Sequence, residues 1–279
     1  MSGFAYYNGK YDRKESICVP LTDRSLFFGD AVYDMAIGKG GKIYQCDNHV
    51  SRILNNAAAL GINHSLTHDC LSEILHDCTS RSEYEEYTVY FQISRASEKR
   101  VHSALCTDYS LLIIVDEFKF SSPVDNLKLI TYEDRRYQYC NIKTVNLLPS
   151  VMASTRAEEY GCDEALFHRG ETVTECSHSN VFIIKDKTLI THPNCELILP
   201  GITAENLILS AMEHGIKVLR RPFTLRDVYL SDEIIITSTT RFARSVSSLN
   251  GVSVGGKDKN LANELCYSVY HSFCKKMEI

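Results

Sequence analysis

At 279 residues, with 44% hydrophobic and 23% charged side chains, the chain is long enough to bury a large core in one domain or two. A formal charge of -5 and a pI near 6.1, with no basic run, leave no electrostatic footprint for nucleic acid. No apolar stretch approaches ~18 residues and the N-terminus MSGFAYYNGKYDRK has no apolar signal core, so membrane spans and standard export are not expected.

Helical spacing appears first at Asp47 to Gly61, where Asp47 can cap, Val50, Ile53, Leu54, Ala57 and Leu60 form one face, and Gly61 can end the helix. Before it, Gly38-Lys39-Gly40-Gly41-Lys42 reads as a hairpin turn. A second helix is predicted near Thr67 to Cys78, followed by strands at Tyr87 to Ser94 and Ser110 to Asp116. The polar, turn-rich Phe120 to Asn126 is the candidate interdomain connection, with the linker proper at 121–126. It separates an N-terminal domain, 1–120, from a larger C-terminal domain, 127–279.

Beyond the linker, Leu127 to Tyr132 and the segment around Ile142 read as strands, and Ser150 to Tyr160 as a helix closed by Gly161. Glu171 to Thr174, Glu164 to His168 and Val181 to Ile184 read as strands, with Lys187 to Thr191 returning as a hairpin. Thr203 can cap a helix that ends near Gly215, Glu233 to Thr237 is an apolar strand, and a last helix covers Lys259 to Lys276. The mixture lacks a strict β-α-β rhythm, which predicts a two-domain α+β (mixed α/β) fold and not a Rossmann sheet or an eightfold barrel.

Eleven cysteines, odd in number and with no C-x-x-C pair, read as reduced, small hydrophobes of a cytoplasmic protein. His64 and His68 stand four apart without the glutamate of a zinc-protease motif, so a surface helix start is expected there and no metal.

Four polar clusters follow apolar strands, where small-molecule sites are commonly built. In Cys140 to Leu148, Lys143 interrupts a run fit for a buried strand; a desolvated lysine is a good imine former, whereas a strand-end lysine can reach solvent. In Glu175 to Asn180, a buried Glu175 would need a partner carrying a proton or positive charge, and an exposed one would be an ordinary turn. Leu199 to Thr203 leads into a helix whose N-terminus suits phosphate, and Thr203 can bind an anion or simply cap. Thr237 to Thr240 supplies hydroxyls suited to phosphate oxygens or to a turn. No G-x-G-x-x-G, Walker loop or G-x-S-x-G elbow is present.

In order and spelling these clusters resemble the class IV aminotransferases, the fold-type IV pyridoxal-phosphate enzymes, and among them most nearly the D-amino acid (D-alanine) aminotransferases. The resemblance runs from Tyr7-Asn8-Gly9 into the C-terminal helix. It is carried by Phe28 to Tyr33, His49 to Arg52, Tyr90 to Arg95, Arg100-Val101-His102, Ile142 to Leu148, Gly161 to Ala165 and Thr172 to Glu175. Ser179 to Phe182, Gly201-Ile202-Thr203 and Thr237 to Thr240 complete it.

The resemblance implies pyridoxal 5′-phosphate as cofactor, Lys143 as the Schiff-base and proton-transferring lysine, and Glu175 as partner of the pyridine nitrogen. It implies phosphate contacts from Arg52, Ile202, Thr203, Ser238 and Thr239, with Leu199 packed against the ring. Tyr33, with Arg100 and His102 reaching from the neighbouring subunit of a homodimer, would hold the substrate α-carboxylate, which a guanidinium reads in two-pronged fashion. Amino acids and 2-oxo acids are then the small-molecule partners. Amino-deoxychorismate lyases and branched-chain aminotransferases share the scaffold; Arg100-Val101-His102 speaks against the lyase, and intact Lys143 and Glu175 against a non-catalytic cofactor binder.

The sequence departs from the pattern in three places. Asp34 stands where the nearest relatives carry Glu, His178 lies in a turn that is usually serine-rich, and Arg241-Phe242-Ala243-Arg244 follows the hydroxyl cluster where relatives have small or neutral residues. Arg241 or Arg244 is therefore expected to line the substrate pocket, as a receptor for an acidic side chain or a second α-carboxylate anchor.

Overall fold

The computed structural model describes residues 3–96, 99–105, 108–123 and 126–278. The chain divides into two compact units, Met1–Phe120 with Ile142–Asn146, and Ser121–Asn141 with Leu147–Ile279.

Alternating apolar residues build the first unit as an antiparallel sheet with one face packed on helices. Its elements are β1 (Phe4–Tyr7), β2 (Lys10–Arg13), α1 (Arg24–Phe28), β3 (Ala31–Lys39), β4 (Lys42–Ile43), α2 (Cys46–Ala59), α3 (His68–Arg81), β5 (Glu86–Arg95) and β6 (Tyr109–Glu117). The strand order is β2-β1-β6-β5-β3-β4. Val32 and Ala36 of β3, Val89, Phe91 and Ile93 of β5, Val50, Ile53 and Ala57 of α2, and Leu71 and Leu75 of α3 share one core. The Gly38–Lys42 stretch is the β3–β4 hairpin turn, with Lys39 paired to Lys42. Thr67 caps α3 by accepting from the Cys70 amide. Asp47 does not cap α2: the helix starts one residue earlier, after Gln45 in a left-handed conformation, and Asp47 sits in its first turn, where a negative charge still complements the helix dipole.

The segment around Ile142 is not a strand. One isolated bridge, Thr144 to Val32, lies in otherwise irregular chain. This short stretch joins the first unit because it lies along β3: the Tyr33 amide donates to the Lys143 carbonyl at 2.9 Å and the Val145 amide to the Ala31 carbonyl at 3.2 Å. The lysine was expected with the C-terminal part and stands with the N-terminal unit instead. Gly29 has a left-handed φ of +61°, and a Cβ there would collide with the Asn146 side chain, whose amide donates to the Gly29 carbonyl at 2.9 Å. Only glycine tolerates both the conformation and the approach.

The second unit contains β7 (Leu127–Glu133), α4 (Leu148–Glu159), β8 (Glu164–Arg169), β9 (Thr172–Cys176), β10 (Asn180–Lys185), β11 (Thr188–Thr191), α5 (Ile202–Glu213), β12 (Lys217–Arg220), α6 (Leu225–Leu230), β13 (Glu233–Ser238), β14 (Phe242–Leu249), β15 (Val252–Ser253) and α7 (Lys259–Met277). The strands follow the order β12-β11-β10-β13-β14-β7-β8-β9, with β15 on β14. Pairing is parallel at β11–β12, β14–β7 and β7–β8 and antiparallel elsewhere. The core of β10 and β13 is buried without alternation. Phe223 and Val228 pack into one apolar cluster of this sheet, and α5 and α7 lie against β13 and β14. Strands covered on both faces read as continuous apolar runs.

Two helix starts differ from expectation. Helix α4 begins at Leu148, with Pro149 in its first turn, a position where the missing amide costs no hydrogen bond. At α5 the cap position belongs to Gly201 and Thr203 lies inside the helix. Of the linker, Val124 and Asp125 lie outside the described residues, and Ser121, Ser122 and Pro123 group with the second unit.

Candidate functional site

In the first unit the period of two along β3 sends neighbouring side chains to opposite faces. Tyr33 lies on the face away from the helices. Its ring stacks on Tyr90 with centroids 5.5 Å apart, and the Lys143 ammonium lies 4.4 Å from the Tyr33 centroid. Lys143 itself is half-buried, between the desolvated and the solvent-reaching lysine that the sequence left open. An amine and a phenol are thus held together on one sheet face.

Asp34 points the other way, to α2. Arg52 grips it with Nε on Oδ2 and Nη2 on Oδ1, both at 2.7 Å, and His49 Nδ1 lies 2.8 Å from Oδ1. Burial pushes the Asp34 carboxyl up, but Arg52 and His49 more than offset it and hold the group well below the usual carboxylate range. The shorter side chain that departs from the relatives therefore serves as the anchor of Arg52, which the sequence reading did not anticipate.

Arg100, Val101 and His102 are exposed. Arg100 lies 5.4 Å from the Phe28 ring centroid, and the His102 ring 5.3 Å from the same ring. Arg24, a residue the sequence reading passed over, donates to the backbone of this loop.

In the second unit Glu175 is buried inside β9 rather than in a turn. Four residues of β9, Val173 to Cys176, stand opposite three of β8, Leu166 to His168. Such a bulge re-aims a side chain. Oε1 of Glu175 accepts from Arg136 Nη1, and Oε2 accepts from Asn180 Nδ2 at 3.2 Å and the Leu199 amide at 3.0 Å. Burial raises the Glu175 carboxyl above its ordinary range, and Arg136 offsets only part of that. Arg136 is in turn held by buried Asp134, Nε to Oδ1 and Nη2 to Oδ2 both at 2.9 Å, and Asp134 also accepts from Thr174 Oγ1 at 3.0 Å and Arg169 Nε at 3.2 Å. The expected cationic partner of Glu175 is therefore Arg136. Its only trace in the sequence is the run Glu133-Asp134-Arg135-Arg136 at a strand end, which reads equally well as solvated charge.

The remaining predicted contacts gather at two backbone features of this unit. Leu199 and Pro200 lead to Gly201, which caps α5 with no side chain, so the amides of Ile202 and Thr203 face out of the helix start. Ser238 and Thr239 occupy the β13–β14 hairpin, where Ser238 Oγ accepts from the Arg241 amide at 3.3 Å. Thr237 Oγ1 beside them is buried without a hydrogen-bond partner among the described residues.

Arg241 and Arg244 part company. Arg244, one of the two arginines of which at least one was expected to line the pocket, is 6% exposed and donates to backbone carbonyls, Nε to Arg241 at 2.8 Å and Nη1 to Ser122 at 2.7 Å. Its Nη2 donates to the Ser121 carbonyl at 3.3 Å and to Ser121 Oγ at 3.4 Å, so the guanidinium is taken up by the backbone and hydroxyl of Ser121 and the backbone of Ser122. Arg241 Nη1 lies 3.8 Å from Glu164 Oε2. Glu164 is fully buried, accepts from the His178 amide at 2.8 Å and Ser179 Oγ at 2.9 Å, and has His178 Nε2 at 3.3 Å. Burial pushes its carboxyl up to about 7 in spite of these donors.

These residues fit pyridoxal phosphate. A carboxylate has about four acceptor sites, and three donors on Glu175 leave room for a ring N–H. The uncapped start of α5 and the orphaned Thr237 hydroxyl suit phosphate oxygens. No group of three or more His, Cys, Asp or Glu side chains that could hold a metal exists among the described residues.

The chain is 34% identical, over 253 residues and 88% of each chain, to a D-alanine aminotransferase of Listeria monocytogenes serotype 1/2a (strain 10403S). Its fold matches the crystal structure of a branched-chain aminotransferase from the thermophilic archaeon Thermoproteus uzoniensis with norvaline, with a TM-score of 0.89 at 20% identity over 97% of this chain and 94% of that one. It matches an aminotransferase from Brucella abortus bound to the cofactor PLP with a TM-score of 0.86 at 18% identity, covering 98% and 99%. Residues 31–249 match the family described as amino-transferase class IV. The buried carboxylate, the lysine beside a tyrosine, and the uncapped helix start thus belong to a member of the class IV aminotransferases, a pyridoxal-phosphate-dependent enzyme family.

Proposed function

We propose that the chain transfers the amino group of a D-amino acid, D-alanine foremost, to a 2-oxo acid such as 2-oxoglutarate, and runs the reverse with pyruvate. The observation that carries the reading is the pairing of the Lys143 ammonium with the Tyr33 ring at 4.4 Å, in a chain 34% identical to a D-alanine aminotransferase. Pyridoxal phosphate supplies a conjugated ring that takes up electron density when the substrate Cα loses its proton.

Lys143 would hold the cofactor as its Schiff-base lysine, and its amine is the group that would move the proton at the substrate Cα. Glu175 holds a proton on the ring nitrogen; its raised affinity for protons and its fixed oxygens suit a shared proton. Ile202 and Thr203 at the α5 start, with Ser238, Thr239 and Arg52, hold the phosphate, and Leu199 lies against the ring. Tyr33, Arg100 and His102 bind the α-carboxylate. Glu164 competes for the Arg241 guanidinium, which weakens Arg241 as a receptor for acidic side chains and favours small neutral substrates.

The working unit is a homodimer in which the Arg100-Val101-His102 loop serves the partner's site. Support comes from α4, where Leu148, Val151 and Met152 at helical spacing are 69%, 56% and 55% exposed, an apolar stripe that calls for a cover. The ten described cysteines are all free, which supports a reducing, cytoplasmic setting. No helix among the described residues is long and apolar enough to cross a membrane.

The test is turnover of D-alanine with 2-oxoglutarate by the purified, visibly yellow protein. Lys143→Ala should abolish it, and Glu175→Gln should slow it roughly a hundredfold or more, since a neutral amide cannot hold the ring proton. Full turnover by Lys143→Ala overturns the reading. Pyruvate release without amino transfer to 2-oxoglutarate would instead mark a lyase.

A further inference from the structure

The loop Arg100-Val101-His102 has no regular secondary structure, and its three side chains are exposed. Beneath it lies one buried cation. Arg24, on the first turn of α1, is 3% exposed. Its Nε donates to Asp30 Oδ2 at 2.8 Å, Nη1 to the Val101 carbonyl at 2.7 Å and Nη2 to the His102 carbonyl at 3.2 Å. The guanidinium also lies 4.6 Å from the Phe28 ring centroid, the ring that Arg100 and His102 approach. Asp30 is itself tied down, because Oδ2 also accepts from Arg95 Nε at 3.0 Å. Arg95 in turn donates to the Gly61 and Leu60 carbonyls at 2.7 and 2.8 Å, at the end of α2.

A buried guanidinium is costly unless a carboxylate and further acceptors take up its donors. Here the carboxylate is Asp30 and the further acceptors are two successive carbonyls of the loop. The two ends of the planar fork reach both carbonyls at once, in a fixed spacing that a flexible ammonium does not hold. The backbone is therefore fixed while the Arg100 and His102 side chains remain outside.

We propose that Arg24 is a positioning residue for substrate recognition: anchored on Asp30, it fixes the Val101 and His102 carbonyls and so sets where Arg100 and His102 present their polar ends to an α-carboxylate. This rests on the reading that Arg100 and His102 bind that carboxylate.

The experiment compares wild type, Arg24→Ala and Arg24→Lys holoenzymes with Arg100→Ala. Arg24→Lys keeps the charge beside Asp30 but cannot span two carbonyls, and it serves where Arg24→Ala fails to fold. Both Arg24 variants should raise the KM for D-alanine about tenfold, with kcat within about twofold and the visible cofactor absorption unchanged. Trypsin should cut after Lys99 or Arg100 at least about fivefold faster in the Arg24 variants, because a freed loop reaches the protease. In an Arg100→Ala background Arg24→Lys should add little, the mark of two residues acting through one contact. An unchanged KM, an unchanged rate of tryptic cleavage, or loss of kcat and cofactor absorption together with KM would each overturn the proposal. If Arg100→Ala and His102→Ala leave KM unchanged, the carboxylate reading itself fails and this inference falls with it; an effect in those two variants but none in the Arg24 variants sinks the positioning role alone.

Discussion

At the scale of single residues, the two carboxylates Glu164 and Glu175 show how burial decides chemistry. Both are enclosed in the second unit and both are pushed up by desolvation, Glu164 to about 7. For Glu164 the ordinary value is 4.5, so between about pH 4.5 and 7 the folded chain keeps a proton that the unfolded chain releases. Stability from this site is then highest below about pH 4.5, falls as pH rises to about 7, and is flat above it; the full change is on the order of 3 kcal/mol. Glu164→Gln removes this slope. Denaturant unfolding at about pH 5 and pH 8 should show the variant gaining on the wild type by up to ~3 kcal/mol toward pH 8. Parallel curves would mean that His178 and Arg241 keep Glu164 ionised throughout. Glu175 was readable as a candidate because a carboxylate stood between two apolar strands. Arg136, its partner 39 positions away in sequence, was not, because a charge run at a strand end carries no sign of which member turns inward.

Among the elements, the contact of β3 with α2 couples the sheet to the helix that carries Arg52. The helix was legible from its apolar spacing, and Val50, Ile53 and Ala57 are indeed buried. What the period does not reveal is that Arg52 and His49 reach across to Asp34, which belongs to the buried face of β3 with Val32 and Ala36. A fully buried carboxylate with two basic partners is destabilising to break from one side, since the guanidinium is left without its counter-charge. Asp34→Asn should lower unfolding free energy by ~3 kcal/mol or more in chemical denaturation near neutral pH. Because the Asp34 carboxyl sits below its ordinary range, that contribution is present above the unfolded value and is lost as pH falls below it. The gap between wild type and variant should therefore narrow in acid. A variant as stable as wild type at neutral pH would show that the pair only offsets its own desolvation.

For the whole molecule, the proposed shared-site homodimer makes a prediction that no single chain can satisfy. Arg100→Ala subunits, assayed at D-alanine well below their raised KM so that they contribute little, and inactive Lys143→Ala subunits, mixed and allowed to exchange, should regain activity, because one site of each heterodimer then holds an intact lysine and an intact loop. With random exchange of equal amounts, about half the dimers are mixed and one of their two sites works, so recovery approaches about a quarter of the wild-type rate. No recovery despite proven exchange would place Arg100 outside the partner's site.

The sequence by itself determined the α+β class, most of the helices and strands, and the class IV aminotransferase family, because these depend on local period and on short motifs that keep their spelling. Local context singled out Lys143 and Glu175 only as candidates, and their proposed roles rest on the family resemblance. Only the tertiary structure decided that the Lys143 segment lies along β3 in the first unit, that Asp34 rather than solvent faces Arg52, and that Arg136 backs Glu175. It also separated Arg244, buried against backbone carbonyls, from Arg241, drawn toward Glu164. The physical reason is the same each time. Whether a charged side chain is a site or a strut depends on which opposite charge or carbonyl it meets, and those partners come from distant parts of the chain whose approach no local period encodes.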